Sequence, residues 1–194
     1  IKSTDRAEIL KILSDTQMFT TAEIRVAMEL IDTALTKPNQ TDYLIFVAIN
    51  GQKLAGYVCY GPTPATEGTF DLYWIAVAPQ VQGKGIGTDL LTYVETAVQA
   101  QHGHMIIIET SSQEKYLPTR NFYLKNGYAI AAQIKDFYRR GDDRVIFVKY
   151  FKQENKSEME NWRKLVQKSF TTVDQITKAL NLPNDELAGL DKVF

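Results

Sequence analysis

Apolar positions in the amino-terminal part of the chain recur with the period of an α-helix. Thr20 stands three residues before Glu23, which is the spacing of a capping box, and apolar residues follow at helical intervals. The pattern predicts an amphipathic helix over 19–35 and a shorter helix over 5–13 before it. The polar stretch 37–40 contains a proline and other residues typical of turns, so it is predicted to end this pair of helices.

The pattern then changes to the short apolar runs that are typical of β-strands. The segments 43–49 and 54–60 are rich in branched and aromatic residues, and the Asn50-Gly51 pair between them is a strong hairpin signal. We therefore predict two paired antiparallel strands. A third strand is predicted over 69–78, which is almost wholly apolar.

A glycine-rich segment, 82–87, joins the third strand to a helix. Pro79 ends the strand, and apolar residues spaced over 90–98 mark the helix. A buried-looking strand over 104–110 follows. Residues 72–110 thus form a strand–helix–strand crossover, which predicts parallel strands joined by a right-handed connection.

The rest of this domain is predicted to hold one more helix and a last pair of strands. The helix covers 117–125 and stops at an Asn-Gly pair, which is a favourable C-cap. Strands over 128–135 and 144–151 surround a charged turn at 140–143. The sequence therefore predicts a mixed α/β domain over residues 1–151.

Composition narrows the class of protein without pointing to a substrate. The 194 residues carry 22 basic and 23 acidic side chains, so the net charge of −1 gives no electrostatic reason to expect nucleic acid or an anionic membrane as a partner. A single cysteine excludes an intrachain disulfide and multi-cysteine zinc or iron–sulfur sites. The chain has no apolar run of about 18 residues and no signal pattern at its start, so we expect a cytoplasmic protein.

The glycines of the 82–87 segment favour a phosphate cradle, because backbone N–H groups at the start of a helix attract anions. The Gly-x-Gly-x-Gly spacing alone is equally compatible with a tight bend. A dinucleotide-binding fingerprint fits less well: its third glycine comes one residue later, Asp89 lies inside the helix, and antiparallel strands lie upstream of Glu109. The sequence of a nucleoside-triphosphate P-loop is absent from the chain.

Two motifs in the chain resemble those of the GNAT superfamily of N-acetyltransferases. The run 77–87, followed by Leu90-Leu91, resembles the family's acetyl-CoA-binding motif, Gln/Arg-x-x-Gly-x-Gly/Ala, with Gln82 in its first position. The run 122–128 resembles its aromatic-Tyr-x-x-x-Gly-aromatic signature. The resemblance covers about residues 3–151 and implies a mixed α/β sheet that is flanked by helices and splayed between its two parallel strands.

The resemblance also implies that acetyl-CoA binds as the acyl donor, with its pantetheine arm in the splayed gap and its pyrophosphate on the glycine loop. Tyr116 and Thr119 stand where the family often has Asn and Ala, and the segment 109–112 could supply backbone or hydroxyl contacts to the arm instead. The residues implied in cofactor binding are Ile75, Ala76, Val77, Gln82, Gly83, Lys84, Gly85, Ile86, Gly87, Thr88, Tyr116 and Tyr123.

Acetyl transfer to an amine needs a base that frees the amine, donors for the oxyanion and an acid for the departing thiolate. Tyr123 matches the family tyrosine that faces the coenzyme A sulfur and is implied as the acid; alternatively it is a core aromatic. Asp71 is the first candidate base, or else a solvated hairpin residue, and Glu109 is the rival base, or else part of a structural network. The resemblance implies a strand bulge at Val77, whose N–H would stabilise the oxyanion.

Other residues of reactive type carry weaker functional signals. His102 and His104 flank a helix end with no partner at ligand spacing, so no metal site is expected. Cys59 lies within a strand and is expected to be a buried, inert thiol. The charges of 139–143 indicate an ordinary turn, or a gate to the acceptor site. Four aromatic residues suit either an acceptor pocket or the core: Tyr57, Tyr60, Tyr73 and Trp74.

Beyond residue 151 the chain becomes polar and then shows short amphipathic helices. The stretch 152–160 predicts a linker, and 162–182 predicts small helices that need a partner surface. The segment that runs from Trp162 through the stretches 170–176 and 180–182 to Phe194 resembles the leading helices of the lysine 2,3-aminomutase family, without that family's catalytic cysteines. The resemblance implies a fusion to an aminomutase-like domain and a β-amino acid such as β-lysine as acceptor. Alternatively, the helical extension over 152–194 covers a sheet edge or forms a homodimer.

The sequence thus predicts an enzyme, a GNAT-like N-acetyltransferase. It would transfer an acetyl group from acetyl-CoA to the primary amine of a small amino acid or β-amino acid, by direct attack in a ternary complex. Two alternatives stay open: the acceptor amine belongs to a protein, or the domain is a non-catalytic module that senses acetyl-CoA.

Overall fold

The structure, a computed structural model, describes residues 1–37 and 39–152. The helices and strands of this part are α1 (Asp5–Asp15), α2 (Thr21–Thr36), β1 (Leu44–Asn50), β2 (Lys53–Pro62), β3 (Thr69–Val77), α3 (Ile86–Ala100), β4 (Met105–Ser111), α4 (Leu117–Lys125), β5 (Ala129–Arg139) and β6 (Asp142–Tyr150). Short 3₁₀ turns precede α3 and α4. The extension predicted for 152–194 lies, except for Lys152, outside the described residues.

Helix α2 begins at the capping box that the sequence predicts. The Thr20 hydroxyl accepts the backbone N–H of Glu23 over 3.2 Å, and the Glu23 carboxylate accepts the backbone N–H of Thr20 over 2.6 Å. These bonds satisfy two of the donors that a helix start leaves unpaired. The Arg6 side chain of α1 pairs with Asp32 of α2, so the two predicted amino-terminal helices are confirmed as a packed pair.

The six strands of the described residues form one sheet in the order β1-β2-β3-β4-β6-β5. Strands β3 and β4 pair in parallel, and all the other neighbours are antiparallel. The α3 crossover between β3 and β4 produces this parallel pair, as the strand–helix–strand pattern predicts. The mixed α/β fold is therefore confirmed.

The last hairpin is longer than predicted, and its charged residues are not all in the turn. Arg139 of β5 pairs directly with Asp142 of β6, so only Arg140 and Gly141 connect the strands. Asp142 is buried and accepts hydrogen bonds from the side chains of Ser111, over 2.5 Å, and Gln113. The prediction of an ordinary charged turn over 140–143 is wrong at Asp142, because a buried carboxylate with side-chain donors anchors this hairpin to the end of β4.

Two apolar clusters pack against opposite faces of the sheet. One lies under α3 and α4, on what we call the α3–α4 face, and includes Val58, Leu72, Leu91, Ile108 and Phe147. The other lies under α1 and α2, on the α1–α2 face, and includes Ile9, Ile31, Tyr57, Cys59 and Ala76. Because successive strand residues point to opposite faces, these clusters identify the face on which each neighbouring side chain lies.

No helix within residues 1–37 and 39–152 is long and apolar enough to cross a membrane.

Candidate active site

Strands β3 and β4 separate part of the way along their length. Their parallel pairing runs from Thr69 opposite Met105 to Leu72 opposite Ile108 and then stops, although β3 continues to Val77. The splayed sheet that the resemblance implies is confirmed. The separated ends leave a gap between the strands, with backbone groups that no longer pair with the neighbouring strand.

A β-bulge at Tyr73 changes the phase of β3 at the point where the gap opens. Cys59 of β2 pairs with Trp74 and the next residue, Tyr60, pairs with Leu72, so Tyr73 is the extra residue. Before the bulge, Leu72 points to the α3–α4 face; after it, Ile75 does. The prediction of a bulge at Val77 is therefore wrong, because Val77 pairs regularly with Gly56.

The backbone of Val77 nevertheless faces the gap. The N–H of Ala78 donates to the carbonyl of Ala55 over 2.8 Å, which makes that pair hydrogen-bonded and the next pair, Val77 with Gly56, a non-hydrogen-bonded one. The N–H and C=O of Val77 thus point away from β2. The carbonyl accepts the side-chain amide of Gln82 over 3.0 Å, which leaves the N–H as a donor directed to the gap.

Ala76 differs from its neighbours Ile75 and Val77 in the direction of both its backbone groups and its side chain. The backbone of Ala76 is directed to Tyr57 of β2, and its side chain is buried in the cluster under α1 and α2. Ile75 and Val77 instead pack toward α3 and α4. The cofactor contact predicted for Ala76 stays a prediction, with a weaker geometric basis than those of Ile75 and Val77.

The glycine loop brings unpaired backbone donors to the start of α3. Gly83 and Gly85 have φ angles of +75° and +89°, which residues with a Cβ rarely adopt. The first helical bond joins the N–H of Asp89 to the carbonyl of Gly85 over 3.0 Å, so the amides of 86–88 have no partner within the helix. Lys84 is exposed beside them. These donors and the helix dipole favour an anion such as a pyrophosphate at this position, so the predicted pyrophosphate contact has a geometric basis.

Gly87 allows the start of α3 to lie close to α4. A Cβ built at residue 87 would lie 3.4 Å from the ring of Phe122 and 3.7 Å from the side chain of Val77. These are ordinary van der Waals distances, so a methyl group would fit here and only a larger side chain would press on both neighbours. The loop motif and the 122–128 motif, which are distant in sequence, therefore meet at this contact.

Tyr123 lies on the α3–α4 face, beside the gap. Its ring packs 5.5 Å from that of Phe147 and 6.0 Å from that of Tyr128, and the residue is 4% exposed. Burial raises the pKa of the phenol, so the hydroxyl stays protonated throughout the neutral range. Tyr123 is thus a member of the core, and its protonated hydroxyl also suits a proton donor.

The two candidate bases lie on the other face of the sheet. Asp71 and Glu109 alternate with Leu72 and Ile108, whose side chains lie on the α3–α4 face, so both carboxylates point to the α1–α2 face. An acid and a base on opposite faces can meet only through the gap between β3 and β4. This arrangement suits a donor that enters from one face and an acceptor that enters from the other.

Asp71 belongs to the paired part of β3 and has a local partner. It stands opposite Ile107, before the strands separate, and its carboxylate accepts a hydrogen bond from the Thr63 hydroxyl over 2.8 Å. Burial, assisted by the nearby Asp71 carboxylate, raises the pKa of Tyr73 to about 12. Tyr73 in turn packs edge-on against Tyr43, 5.5 Å away, so Asp71 borders a group of aromatic side chains.

Glu109 is the first residue of β4 beyond the last β3 pair, and it forms an ion pair with Arg144 of β6. The Glu109 side chain is 38% exposed and that of Arg144 is 25% exposed. The Arg144 guanidinium also lies over the ring of Phe137, 4.7 Å from its centroid. This carboxylate is therefore at the edge of the gap, accessible to solvent and held by a neighbouring cation.

Tyr116 and the serines after β4 already have structural partners. The Tyr116 hydroxyl donates to the carbonyl of Met18 over 3.0 Å, which ties the start of α4 to the α1–α2 connection. Ser111 donates to Asp142, and the Ser112 hydroxyl accepts the N–H of Asp143 over 2.8 Å. Their predicted contacts with the cofactor stay predictions, and these hydroxyls would need to exchange partners to make them.

The four aromatic candidates for an acceptor pocket differ in their burial. Tyr57 and Tyr60 are fully buried core residues, whereas Tyr73 and Trp74 are only partly buried on the α1–α2 face. Cys59 is 1% exposed, which confirms a buried cysteine, and burial raises the pKa of its thiol to about 12; that the thiol is inert stays a prediction. In the part of the chain that the structure describes, His, Cys, Asp and Glu form no cluster that could hold a metal.

Arg144 lies at the candidate site, although the sequence did not predict it as a site residue. It is one of two basic residues on β6, and only the pairing of Ser111 with Arg144 brings it diagonally next to Glu109. A pattern that could have pointed to it is the alternation in β6, where Arg144 and Ile146 lie opposite to the buried Val145 and Phe147.

Comparison with known proteins identifies the class to which this fold and site belong. A model of the acetyltransferase (GNAT) domain matches residues 41–130. A crystal structure of a protein assigned to the GNAT family from Desulfovibrio desulfuricans is 43% identical, with a TM-score of 0.74 over 76% of this chain and 93% of that one. The chain therefore belongs to the GNAT family of acetyltransferases.

More distant structures share the fold alone. The ribosomal-protein-S18-alanine N-acetyltransferase of Escherichia coli is 18% identical, with a TM-score of 0.63 over 80% of this chain and 94% of its own. The aminoglycoside 6′-N-acetyltransferase of Enterococcus faecium is 16% identical, with a TM-score of 0.58 over 76% of this chain and 91% of its own. Among curated proteins no match is found.

Proposed function

We propose that this protein transfers an acetyl group from acetyl-CoA to the primary amine of a small amino acid or β-amino acid, such as β-lysine, by direct attack in a ternary complex. The observation that carries the proposal is the gap between β3 and β4, with the glycine loop at its mouth, Tyr123 on one face and the carboxylates on the other. Structures with this fold are described in complex with coenzyme A or acetyl-CoA.

The proposed mechanism assigns each step to a group at the gap. The donors of residues 83–88 bind the pyrophosphate, and the pantetheine arm lies beside Ile75 and Val77. A carboxylate takes the proton from the acceptor ammonium, and the neutral amine attacks the thioester carbonyl. The N–H of Val77 donates to the oxyanion of the tetrahedral intermediate. The intermediate collapses with cleavage of the C–S bond, the thiolate takes a proton from Tyr123, and the proton that the amide nitrogen loses passes to solvent, from which Tyr123 is reprotonated.

Glu109 is the base that the geometry favours over Asp71. Glu109 lies beyond the last β3–β4 pair, whereas Asp71 lies within the paired region and accepts a hydrogen bond from Thr63. A base must reach the proton that it removes, directly or through one water. The carboxylate at the edge of the gap satisfies this condition more directly.

The proposed function also includes an acceptor, a cellular compartment and a form of assembly. β-Lysine rests on the resemblance of the carboxyl-terminal segment to aminomutases, from which a fused aminomutase-like domain is also inferred. The single, buried cysteine suits a reducing compartment, so we propose that the reaction takes place in the cytoplasm. A homodimer through the carboxyl-terminal extension stays an alternative use of that segment.

The experiment measures thermal unfolding with and without acetyl-CoA, and then the release of coenzyme A with a panel of amines, α-amino acids and β-amino acids. We expect acetyl-CoA to raise the unfolding temperature and a β-amino acid to give the fastest release. No stabilisation at millimolar acetyl-CoA would overturn the cofactor assignment. Stabilisation without release on any small amine would favour a protein acceptor or an acetyl-CoA-sensing module.

The role of Tyr123 is tested with Tyr123→Phe, and Tyr128→Phe is the matched control because both tyrosines lie in the same cluster. We expect Tyr123→Phe to bind acetyl-CoA normally and to lower kcat by about 100-fold, a typical effect of losing a general acid. Tyr128→Phe should keep both properties. Equal turnover in the two variants would remove Tyr123 from the mechanism.

A further inference from the structure

Arg144 lies on the α1–α2 face, beside the edge of the gap. It pairs with Ser111 across the β4–β6 ladder, two residues beyond Glu109 on β4. Its neighbour Val145 is buried in the cluster under α3 and α4, so alternation directs Arg144 to the same side as Glu109 and Asp71. The proposed acceptor enters from this side.

The guanidinium of Arg144 is held by its neighbours, but not all of its N–H donors form hydrogen bonds. Its Nη2 group pairs with Glu109, and its plane lies over the ring of Phe137. Within residues 1–37 and 39–152, its Nε is buried and has no hydrogen-bond acceptor. A guanidinium has five N–H donors in a fixed plane, so donors remain for a further anionic group.

We propose that Arg144 binds a carboxylate of the acceptor, so that the substrates of this enzyme carry both an amine and a carboxylate. This inference rests on the proposed function and narrows its substrate class. A carboxylate fits the planar donors of arginine in a two-bonded arrangement, and the Phe137 ring, 4.7 Å from the guanidinium carbon, helps to hold the guanidinium in place.

Charge balance favours an amino acid over a simple amine. Glu109 and Arg144 together carry no net charge and neutralise each other in the absence of substrate. An amino acid brings one ammonium for Glu109 and one carboxylate for Arg144, so each charge at the edge of the gap keeps a partner. A diamine would leave Arg144 facing a second cation, and like charges brought together are unfavourable.

The test compares amino acids with the amines that differ from them only by loss of the carboxylate: lysine with pentane-1,5-diamine, and β-alanine with ethylamine. We expect the wild-type enzyme to use at least one amino acid with a kcat/KM about 10-fold or more above that of its amine. Arg144→Gln should lower the ratio of kcat/KM for the amino acid to kcat/KM for its amine by about 10-fold or more, while Arg144→Lys keeps part of the preference.

Arg140→Gln is the matched control, because Arg140 is an exposed arginine in the turn of the same hairpin. It should leave both substrates unaffected. An equal loss on amino acid and amine in Arg144→Gln would show that Arg144 only positions Glu109, and would overturn the proposal. So would a wild-type enzyme that uses both members of each pair equally well.

A binding measurement keeps this inference separate from the proposed function. Thermal unfolding in the presence of coenzyme A is compared with and without each panel compound. Stabilisation of the wild type by an amino acid, lost in Arg144→Gln, would support the carboxylate site even if no amine is acetylated and the proposed reaction is wrong. Acetylation without any preference for a carboxylate would support the reaction and overturn the site.

Discussion

The side-chain amide of Gln82 donates a hydrogen bond to the carbonyl of Val77 over 3.0 Å. This bond joins the first residue of the glycine motif to the strand that borders the gap. It uses the carbonyl of a residue whose N–H is the proposed oxyanion donor, so it fixes the peptide that must point into the gap. The glutamine of the motif thus has a structural role in this chain, because it holds the carbonyl of Val77, in addition to any contact with the cofactor.

Removing the Gln82 amide should weaken the cofactor site without unfolding the protein. We expect Gln82→Ala to raise the KM for acetyl-CoA by about 5-fold, the effect of one ordinary hydrogen bond of about 1 kcal/mol. Gln80→Ala is the control, because Gln80 is exposed in the preceding turn. Steady-state kinetics with varied acetyl-CoA measure both, and an unchanged KM in Gln82→Ala would contradict the role of this bond.

The positive φ of Gly85 predicts a change in both stability and cofactor affinity. An alanine at a φ of +89° costs about 1–2 kcal/mol. Gly85→Ala relieves this strain by moving the loop, so we expect weaker binding of acetyl-CoA as well as a lower unfolding temperature. Gly51→Ala is the matched control, because Gly51 has a φ of +65° in the β1–β2 turn. It should lose similar stability and keep its affinity, as measured by isothermal titration.

The two carboxylates on the α1–α2 face should respond differently to substitution. We expect Glu109→Gln to lower kcat by about 100-fold, because the amide can no longer accept the proton of the ammonium. Asp71→Asn should retain most activity. Steady-state kinetics of both variants decide between the two carboxylates, and the opposite result would assign the base to Asp71.

The buried thiol of Cys59 should affect stability only at high pH. Its pKa is raised to about 12 from an ordinary value near 9. The folded protein therefore keeps the thiol protonated while the unfolded chain ionises, so stability is unaffected below about pH 9 and falls as the pH rises toward 12. Denaturant unfolding from pH 7 to 11 should show a shallower decline in Cys59→Ala than in the wild type.

The same burial predicts that Cys59 does not react with a thiol reagent at pH 8 while the protein is folded. Reaction should begin only when denaturant unfolds the chain. Rapid labelling of the native protein would show that the strand opens at Cys59 under native conditions.

Local signals predicted a large part of this structure. The capping box of α2, the glycine loop before α3 and the helix–strand order are set by neighbouring residues, and the structure confirms them. The bulge position was mispredicted, since it depends on how β2 pairs with β3 and not on any residue type in β3. The contacts of Asp142 and the Glu109–Arg144 pair were not predictable for the same reason: both arise between strands whose register the sequence does not encode locally.

The bulge at Tyr73 also determines which changes in length the protein can tolerate. Deleting one residue anywhere between 69 and 77 would remove the phase change, and either the Asp71 end or the Val77 end would then direct its side chains to the wrong face. We therefore expect insertions and deletions next to β3 in its flanking connections, such as 63–68, and not within the strand. Directed evolution of the acceptor pocket would need to vary the residue types along β3 while keeping the number of its residues. The same holds for replacing β3 with the strand of a homologue.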